Sequence, residues 1–365
     1  MATRIICTVT TDLTYDQRMQ RICSSLTKSG YEVTLVGRKL AHSQPLKQES
    51  YRQKRLSCFI NKGKFFYLEY NFRLFLYLLF KKVNIINSID LDTIVAGFLS
   101  SKIRKKQFTY DAHEYFTEVI ELIDRPKTRR LWKRIESKII PKLKHGYTVN
   151  QSLAALYLTE YNIPFQVIRN VPVLEKLDLP TDRSSVPYLI YIGAVNAGRG
   201  IEETIQAMQQ LDCKLMICGD GDIYGEMVKL TAELNLQNKI EFKGYVEPKE
   251  LKRLTREAFA GVLLLENKGK SYYYSLANKF FDYAHAEIPQ LVIEFPEYVN
   301  IMNKYKVGLF TELNVNSIVS NTQLLLNDIE LYERLKENSR AAKKELNWQN
   351  EEKILADFYA KICKP

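Results

Sequence analysis

Residues 189–222 begin with LIYIGAVNAGRG and end with KLMICGDGD, and these two runs decide the fold. Each run is an apolar segment followed by a glycine loop, with a helical segment between them. This pattern indicates parallel strands of an α/β sheet, whose ligands bind at the carboxyl ends of the strands. Gly193, Gly198 and Gly200 allow the backbone to approach a bulky anion, and Arg199 adds a positive charge where a helix begins. This chemistry suits the diphosphate of a nucleotide.

Apolar, β-branched segments alternate with helical segments along both halves of the chain, which predicts two Rossmann-like, doubly wound parallel sheets. The alternation stops over a segment rich in proline and polar residues, and it restarts at Tyr188. We therefore predict a first domain at 1–174, a linker at 175–187 and a second domain from residue 188. A cleft between the two domains is the expected ligand site.

The composition is that of a globular protein, with 46% hydrophobic and 26% charged residues in a chain of 365. Six cysteines occur without C-x-x-C spacing, and only four histidines are present, so we expect reduced thiols and no zinc site. The first residues are typical of a strand rather than a signal peptide, and no apolar run predicts a spanning helix. These features indicate a cytoplasmic protein.

The formal net charge of +11 admits three anionic partners: nucleic acid, a membrane face or a small substrate. Nucleic acid is disfavoured, because the sequence holds no recognition motif or aromatic stacking platform. Residues 64–82 are aromatic-rich with lysines at both ends, and residues 127–144 are basic. The first segment is either a core helix that covers the first sheet or an interfacial helix. In the second case both segments would dock on an anionic bilayer, at the inner face of the cytoplasmic membrane.

Motifs of the second half resemble those of the retaining glycosyltransferases of family four, the bacterial glycosyl transferases group 1. They are YIG and RG within 191–200, ICGDG at 217–221 and IEFKGYV at 240–246. The run SLANKFFDY at 275–283 looks like the P-N-K-x-x-E-Y segment of many bacterial members. The family has the GT-B fold, in which two Rossmann-like domains face a cleft. The resemblance implies a second domain at 188–344 and a closing helix at 345–365 that crosses back to the first domain.

The resemblance implies transfer of a sugar, with retention, from a nucleotide-diphosphate donor to an acceptor hydroxyl, in the assembly of a surface polysaccharide or glycolipid. The donor would bind the second domain, and the acceptor, a glycan or lipid-linked saccharide, would bind the first. No metal or other cofactor is implied, because Arg199 and Lys279 would neutralise the leaving diphosphate while His113 binds a hydroxyl of the donor sugar. The implied donor-binding residues are Gly193, Gly198, Gly200, Gly219, Tyr245, Val246, Tyr274, Ser275, Asn278 and Asp282.

Polar residues of the first half are candidates for the acceptor side. Asp12 and Asp16 lie in the first strand-to-helix connection, where they either bind an acceptor or cap the helix. His113 and Glu114 follow an apparent strand, where a polar side chain can face a ligand. For both, a role within their own domain is the alternative.

The sequence departs from the family pattern in the donor domain. Members carry two glutamates eight positions apart, where this chain has Tyr274 and Asp282. Two other functions therefore stay open: a catalytically silent GT-B module that binds a nucleotide sugar or a partner, and a GT-B sugar-nucleotide epimerase. The pair Asp90 and Asp92 matches the D-x-D metal motif of the other large glycosyltransferase fold, but two Rossmann-like halves argue against that fold.

Overall fold

The computed structural model of the chain describes residues 2–175 and 186–363. The chain divides into two compact units, of which the first combines Met1–Asn170 with Gln349–Pro365 and the second is Val171–Trp348. The sequence predicted divisions at 174 and 344 instead. Most of the predicted linker, residues 176–185, lies outside the described residues.

Contacts on either side of Trp348 explain where the chain changes unit. The N–H of Trp348 donates to the carbonyl of Pro172 at 2.8 Å, which ties both residues to the second unit. The residues that follow belong to the first unit, where the Glu351 carboxylate accepts from the Arg169 guanidinium at 3.1 Å and the Phe358 ring lies 5.2 Å from the Tyr147 ring. The last helix therefore packs on the first unit, as the resemblance implies.

Seven parallel strands form the sheet of the first unit: β1 (Arg4–Thr8), β2 (Glu32–Lys39), β3 (Arg52–Ser57), β4 (Ile85–Ile89), β5 (Gln107–Ala112), β6 (Gly146–Thr148) and β7 (Gln166–Val167). Their order across the sheet is β3-β2-β1-β4-β5-β6-β7, so the winding direction reverses between β1 and β4. Ligands of open α/β sheets bind beside such a reversal.

The helices of this unit lie along the sheet. The first is capped by Asp16, whose carboxylate accepts from the Met19 N–H at 3.1 Å. Two short 3₁₀ helices lie at Phe116–Glu118 and Ile140–Lys142. The α-helices are α1 (Gln17–Lys28), α2 (Gly63–Phe80), α3 (Asp90–Ile103), α4 (Ile120–Ile123), α5 (Pro126–Ile139) and α6 (Gln151–Tyr161).

Six parallel strands form the sheet of the second unit: β8 (Tyr188–Ile192), β9 (Lys214–Cys218), β10 (Ile240–Gly244), β11 (Ala260–Leu263), β12 (Gln290–Val292) and β13 (Gly308–Phe310). Their order is β10-β9-β8-β11-β12-β13, so the reversal lies between β8 and β11. Both units thus have the doubly wound, Rossmann-like architecture that the sequence predicts.

The remaining helices complete the second unit, except that the last one continues into the first. Apolar side chains on both faces of the sheet form its core, with Leu189 and Leu215 on one face and Ile190 and Val292 on the other. The helices are α7 (Ile201–Ala207), α8 (Tyr224–Glu233), α9 (Pro248–Glu257), α10 (Gly269–Tyr273), α11 (Asn278–His285), α12 (Pro296–Tyr305), α13 (Val315–Asn327), α14 (Ile329–Glu345) and α15 (Trp348–Cys363). Within the described ranges, no helix is both long enough and apolar enough to cross a membrane.

A buried ionic network joins three elements of the first unit. The Arg18 guanidinium donates to the Asp111 carboxylate at 3.0 Å and to the Ile168 carbonyl at 3.1 Å. The other Asp111 oxygen lies 3.0 Å from Nε2 of His113. Asp90, which has a left-handed φ of 55°, accepts from the His113 N–H at 2.9 Å. The network fixes helix α1, the start of α3 and the end of β5 to one another.

Burial and neighbouring charges shift the pKa values of this network. Burial raises the pKa of Asp90 to about 8, against the attraction of His113. For His113 burial acts in the opposite direction, but the Asp111 and Asp90 carboxylates raise its pKa. Burial also opposes ionisation of Asp111, yet the Arg18 guanidinium holds the Asp111 pKa below its usual range. The folded protein therefore holds protons on Asp90 and His113 that the unfolded chain loses more easily.

We expect the free energy of unfolding to decline as pH rises from the ordinary Asp pKa of 3.8 to the raised value of about 8. The sign follows because the folded state binds more protons over this interval, and one proton gives a slope of up to about 1.4 kcal/mol per pH unit. Asp90→Asn should flatten the decline, measured by urea unfolding at a series of pH values. The exposed Asp124→Asn is the control, and equal slopes in wild type and Asp90→Asn would contradict the assignment.

Candidate functional site

The two glycine loops of the second unit interlock at the carboxyl ends of β8 and β9. The Gly193 N–H donates to the Cys218 carbonyl at 2.9 Å, and the Val195 N–H donates to the Asp220 carbonyl at 3.0 Å. In the other direction, the Asn196 side chain accepts from the backbone N–H of residue 222 at 3.0 Å. The loops therefore form one rigid platform beside the reversal between β8 and β11.

The glycines of this platform serve two different purposes. A Cβ on Gly219 would lie 1.8 Å from the Gly193 carbonyl oxygen, and a Cβ on Gly200 would lie 2.5 Å from the Leu264 side chain. Both positions also have a positive φ. They keep loops and strand close together, whereas the sequence argument assigned Gly200 to the approach of an anion. At Gly193, with φ 121°, a Cβ would lie 3.7 Å from the Lys279 ammonium, an ordinary contact distance, so close packing does not require this glycine and its backbone lies next to the lysine.

Two cations lie close to each other beside the platform. Lys279 lies in the first turn of α11 and is only 7% exposed, and its ammonium sits 3.7 Å above the centre of the Tyr191 ring. The Arg199 guanidinium lies 5.8 Å from the centre of the Tyr272 ring. Neither cation forms an ion pair with any carboxylate in the described part of the chain. An aromatic face stabilises each cation without neutralising it.

The electrostatics of the pair favour an anion. Burial lowers the pKa of Lys279 well below its usual value, and the Arg199 charge lowers it further, while Asp282 on the same helix opposes the shift. The Nε of Arg199 is buried and has no hydrogen-bond partner among the described residues. An uncompensated buried cation is costly, and a bound anion removes that cost. The chemistry of the site is therefore that of an anion receptor.

Four other predicted donor residues lie on α11 or in the segment between α10 and α11. Tyr274 follows α10, and its ring lies 5.0 Å from the Tyr273 ring. The Ser275 hydroxyl lies 3.4 Å from the Tyr298 hydroxyl. Asn278 is the exposed first residue of α11, and Asp282 lies one turn beyond it.

Tyr245 and Val246 follow β10. Tyr245 is 58% exposed, whereas Val246 packs against the hydrophobic core, so only the tyrosine offers its side chain to a ligand.

Sequence reasoning missed Glu266 beside the glycine loop. Its backbone N–H donates to the Gly198 carbonyl at 2.8 Å, and its carboxylate pairs with the Lys268 ammonium at 2.6 Å. Glu266 comes just after β11, the strand beside the reversal. A carboxylate at that position was the available signal, since polar residues after such strands line ligand sites.

In the first unit the predicted residues are largely engaged with their own surroundings. Asp16 caps α1, as the structural alternative proposed, and Asp12 accepts from the Thr14 N–H at 3.1 Å and the Ser43 hydroxyl at 2.9 Å. His113 directs Nε2 to Asp111, and its Nδ1 lies 3.7 Å from Asp90. A contact between a His113 ring nitrogen and a sugar therefore competes with these carboxylates. Glu114 is exposed just after β5.

The carboxylates of the D-x-D pair point to separate partners. Asp90 binds the backbone of His113, and Asp92 accepts from the Thr10 hydroxyl. In the part of the chain that the structure describes, no group of three or more His, Cys, Asp or Glu is arranged to hold a metal ion.

Comparison with solved structures reveals similar folds over nearly the whole chain. Sucrose-phosphate synthase from Thermosynechococcus elongatus has 18% identity and a TM-score of 0.79, covering 99% of each chain. HepE of Anabaena in complex with UDP-glucose has 11% identity and a TM-score of 0.78, covering 98% of this chain and 99% of HepE. WaaG, a glycosyltransferase involved in lipopolysaccharide biosynthesis, has 13% identity and a TM-score of 0.68, covering 97% and 98%.

At the level of sequence, no curated protein matches the chain. The family model described as Glycosyl transferases group 1 matches residues 180–342, which include both glycine loops and both cations. The two parallel sheets and their structural neighbours confirm the predicted GT-B fold class. Residues 180–342 are thus similar to the Glycosyl transferases group 1 family.

Proposed function

We propose that the protein transfers a sugar from a nucleotide-diphosphate donor to an acceptor hydroxyl, with retention of configuration. One observation carries the proposal: the buried Lys279 ammonium has no carboxylate partner within ion-pair distance in the described residues and lies beside Gly193. A diphosphate supplies the missing negative charge. As it leaves the sugar it gains charge, so the same two cations stabilise the transition state more than the ground state.

Support for a nucleotide sugar comes from two sources. The domain at 180–342 matches Glycosyl transferases group 1, and the similar HepE fold was solved with UDP-glucose bound. In this proposal Arg199 and Lys279 hold the diphosphate, and Asp282 binds hydroxyl groups of the ribose. The hydroxyl groups of Tyr274 and Ser275 contact the donor in place of the first family glutamate.

The proposed reaction needs no metal. Arg199, Lys279 and the backbone N–H groups of the glycine platform perform the neutralisation that a divalent cation performs elsewhere. On the first unit, Glu114 and Asp12 are the proposed acceptor-side residues. His113 is proposed to contact the donor sugar, with Asp111 fixing its ring.

The proposed acceptor is a glycan or lipid-linked saccharide of a surface polysaccharide or glycolipid. Such acceptors are assembled at membranes, which agrees with the predicted cytoplasmic location and with peripheral membrane contact through 64–82 and 127–144. WaaG, which has a similar fold, is a lipopolysaccharide glycosyltransferase.

The test begins with a thermal-shift screen of common nucleotide sugars, because a ligand that binds only the native state raises the melting temperature. The donor identified is then incubated with and without saccharide-lipid acceptors. We expect release of a nucleoside diphosphate that depends on the acceptor. Conversion of the donor to an epimer without acceptor would replace the transferase with an epimerase, and tight binding without turnover would favour the silent module.

Arg199→Ala should weaken binding of the nucleoside diphosphate about tenfold to a hundredfold, since a hydrogen bond to a charged group contributes about 1.5–3 kcal/mol. Isothermal titration calorimetry measures the change. Arg334→Ala, which removes an exposed arginine of the same unit, is the matched control. An affinity for diphosphate that is equal in wild type and Arg199→Ala would remove the guanidinium from the site.

Lys279→Met should leave the melting temperature of the ligand-free protein unchanged or raise it, because it replaces a buried, unpaired amine with an apolar chain of similar shape. The same variant should lose most of the stabilisation that a nucleoside diphosphate gives to wild type. Differential scanning calorimetry with and without diphosphate measures both effects. A large loss of stability without ligand, together with unchanged binding, would make Lys279 a structural residue.

A further inference from the structure

Helix α2 has two apolar stripes on opposite sides. One stripe is buried in the first unit, as expected for a core helix, which was one of the two alternatives for this segment. Its members recur every four residues: Phe66, Tyr70, Leu74 and Leu78. The outer stripe is also apolar but faces solvent, with Phe72 61% and Phe80 83% exposed. Its remaining members are Phe65, Leu68 and Leu76. A helix of a monomeric soluble protein normally presents polar residues on this side.

Helix α3 extends the exposed apolar surface. It runs beside α2 in the same direction, because Asn71 accepts from the Ala96 N–H at 3.3 Å near the middle of both helices and Arg104 donates to the Leu78 carbonyl at 2.6 Å near their ends. Its outer side chains Leu99 and Ile103 are also exposed. We call the exposed apolar residues of α2 and α3 the ridge.

Acidic side chains are scarce around the ridge. From residue 58 to residue 89, Glu69 is the only acidic residue, and residues 93–110 contain none. The Glu69 carboxylate is occupied: it accepts from the Phe59 and Ile60 N–H groups at 3.0 and 2.9 Å and from Arg73 at 2.7 Å. These bonds hold Phe59, which is 89% exposed, against the base of α2.

A lysine-lined pocket lies at the end of α3. Its cavity of about 230 Å³ has an apolar floor, where the rings of Phe98 and Phe108 meet edge to face at 5.8 Å. No lysine of its wall forms an ion pair with a carboxylate in the described residues. The wall contains Lys102, Lys105, Lys106, Lys142 and Lys144. We call this feature the lysine pocket.

The helix dipole explains only part of the lysine pocket. Lysines near the last turn of α3 interact favourably with the partial negative charge of a helix C-terminus. Lys142 and Lys144 come from the segment after α5, so the dipole of α3 does not account for their presence. Lys105 has a left-handed φ of 51°, a conformation that favours glycine or asparagine. The sequence therefore keeps a lysine where another residue would fold more easily.

We infer that the ridge and the lysine pocket together form a docking surface for an anionic phospholipid bilayer. The ridge enters the boundary between headgroups and acyl chains, and the lysine pocket takes a headgroup phosphate. Lys81 and Lys82, which follow α2, add positive charge next to the end of the ridge. Apolar residues flanked by lysines are the pattern that partitions into an anionic interface, because each part alone binds weakly.

This inference deepens the membrane contact of the proposed function and revises the segments that make it. Segment 64–82 contributes its outer stripe. Segment 127–144 contributes its end, since Arg129 and Lys133 of α5 pair with Glu118 and Glu136 within the unit. The lysine pocket lies beside Gln107, where β5 begins, at the sheet edge opposite to Asp111 and His113. Docking and the chemistry at the carboxyl edge can therefore be tested separately.

The experiment is flotation of the full chain with vesicles of phosphatidylcholine alone or mixed with phosphatidylglycerol. We expect flotation with the mixed vesicles at low salt, a decrease at high salt and little flotation with phosphatidylcholine. The pocket variant, Lys102→Gln with Lys105→Gln and Lys106→Gln, should reduce partitioning about a hundredfold, because each lysine near an anionic surface contributes about fivefold. The control removes three exposed lysines elsewhere, Lys214→Gln, Lys249→Gln and Lys353→Gln.

The ridge variant is Phe72→Asn with Phe80→Asn, and its control is Val228→Asn with Leu324→Asn on exposed positions of the second unit. We expect the ridge variant to lose vesicle partitioning about tenfold or more, since each phenylalanine gives up apolar burial, and we expect its control to keep it. Circular dichroism checks that every variant is folded.

Three results would overturn the inference: no flotation of wild type at low salt, equal loss in the pocket variant and its lysine control, or unchanged flotation of the ridge variant. A dimer in sedimentation that the ridge variant dissociates, without vesicle binding, would assign the ridge to a second copy of the chain instead. Calorimetric binding of a nucleoside diphosphate is measured on the same variants. Intact binding with lost flotation separates a failure of docking from a failure of the proposed function.

Discussion

The candidate anion site of the second unit depends on one constraint, a buried lysine side chain with no carboxylate partner in the described residues. Lys279 is held in the first turn of α11, against the Tyr191 ring and next to Arg199. A carboxylate at this place would stabilise the empty protein and would compete with a diphosphate for both cations. The protein instead leaves the charge uncompensated and uses an aromatic face, which attracts a cation without donating a full negative charge. The uncompensated charge lowers the stability of the protein without a ligand, and the same charge is what gives the site its affinity for an anion.

The glycine platform keeps that ammonium in position. Two backbone hydrogen bonds, from Gly193 to Cys218 and from Val195 to Asp220, hold the two loops together, and Gly193 lies next to the Lys279 ammonium. A mobile loop would let the lysine reach water and lose its effect on a bound diphosphate. The platform is thus as much a part of the anion receptor as the cations are, although Gly219 and Gly200 need not touch a ligand.

The sequence predicts the architecture well where local patterns decide it. Strand β9, Lys214–Cys218, has the predicted bounds, because an apolar run between a helix and a glycine loop has one local solution. Strand β3, Arg52–Ser57, was missed, since its RQKRLS sequence has no apolar run and it forms as an edge strand through pairing with β2. The candidate cations Arg199 and Lys279 were predicted from motifs. The ion pair of Arg18 with Asp111 was not, because these residues are 93 positions apart and only the folded sheet brings them together.

Charged side chains are arranged differently at the two edges of the sheet of the first unit. At the carboxyl edge, Arg18, Asp111, His113 and Asp90 compensate one another within hydrogen-bond distance. At the amino edge, the lysines of the lysine pocket have no such compensation in the described residues, although acidic side chains elsewhere on the unit pair readily with Arg129 and Lys133. The excess charge of +11 is therefore not an average property of the surface. Like charges that remain together repel, so an anion that binds at the lysine pocket would reduce this repulsion.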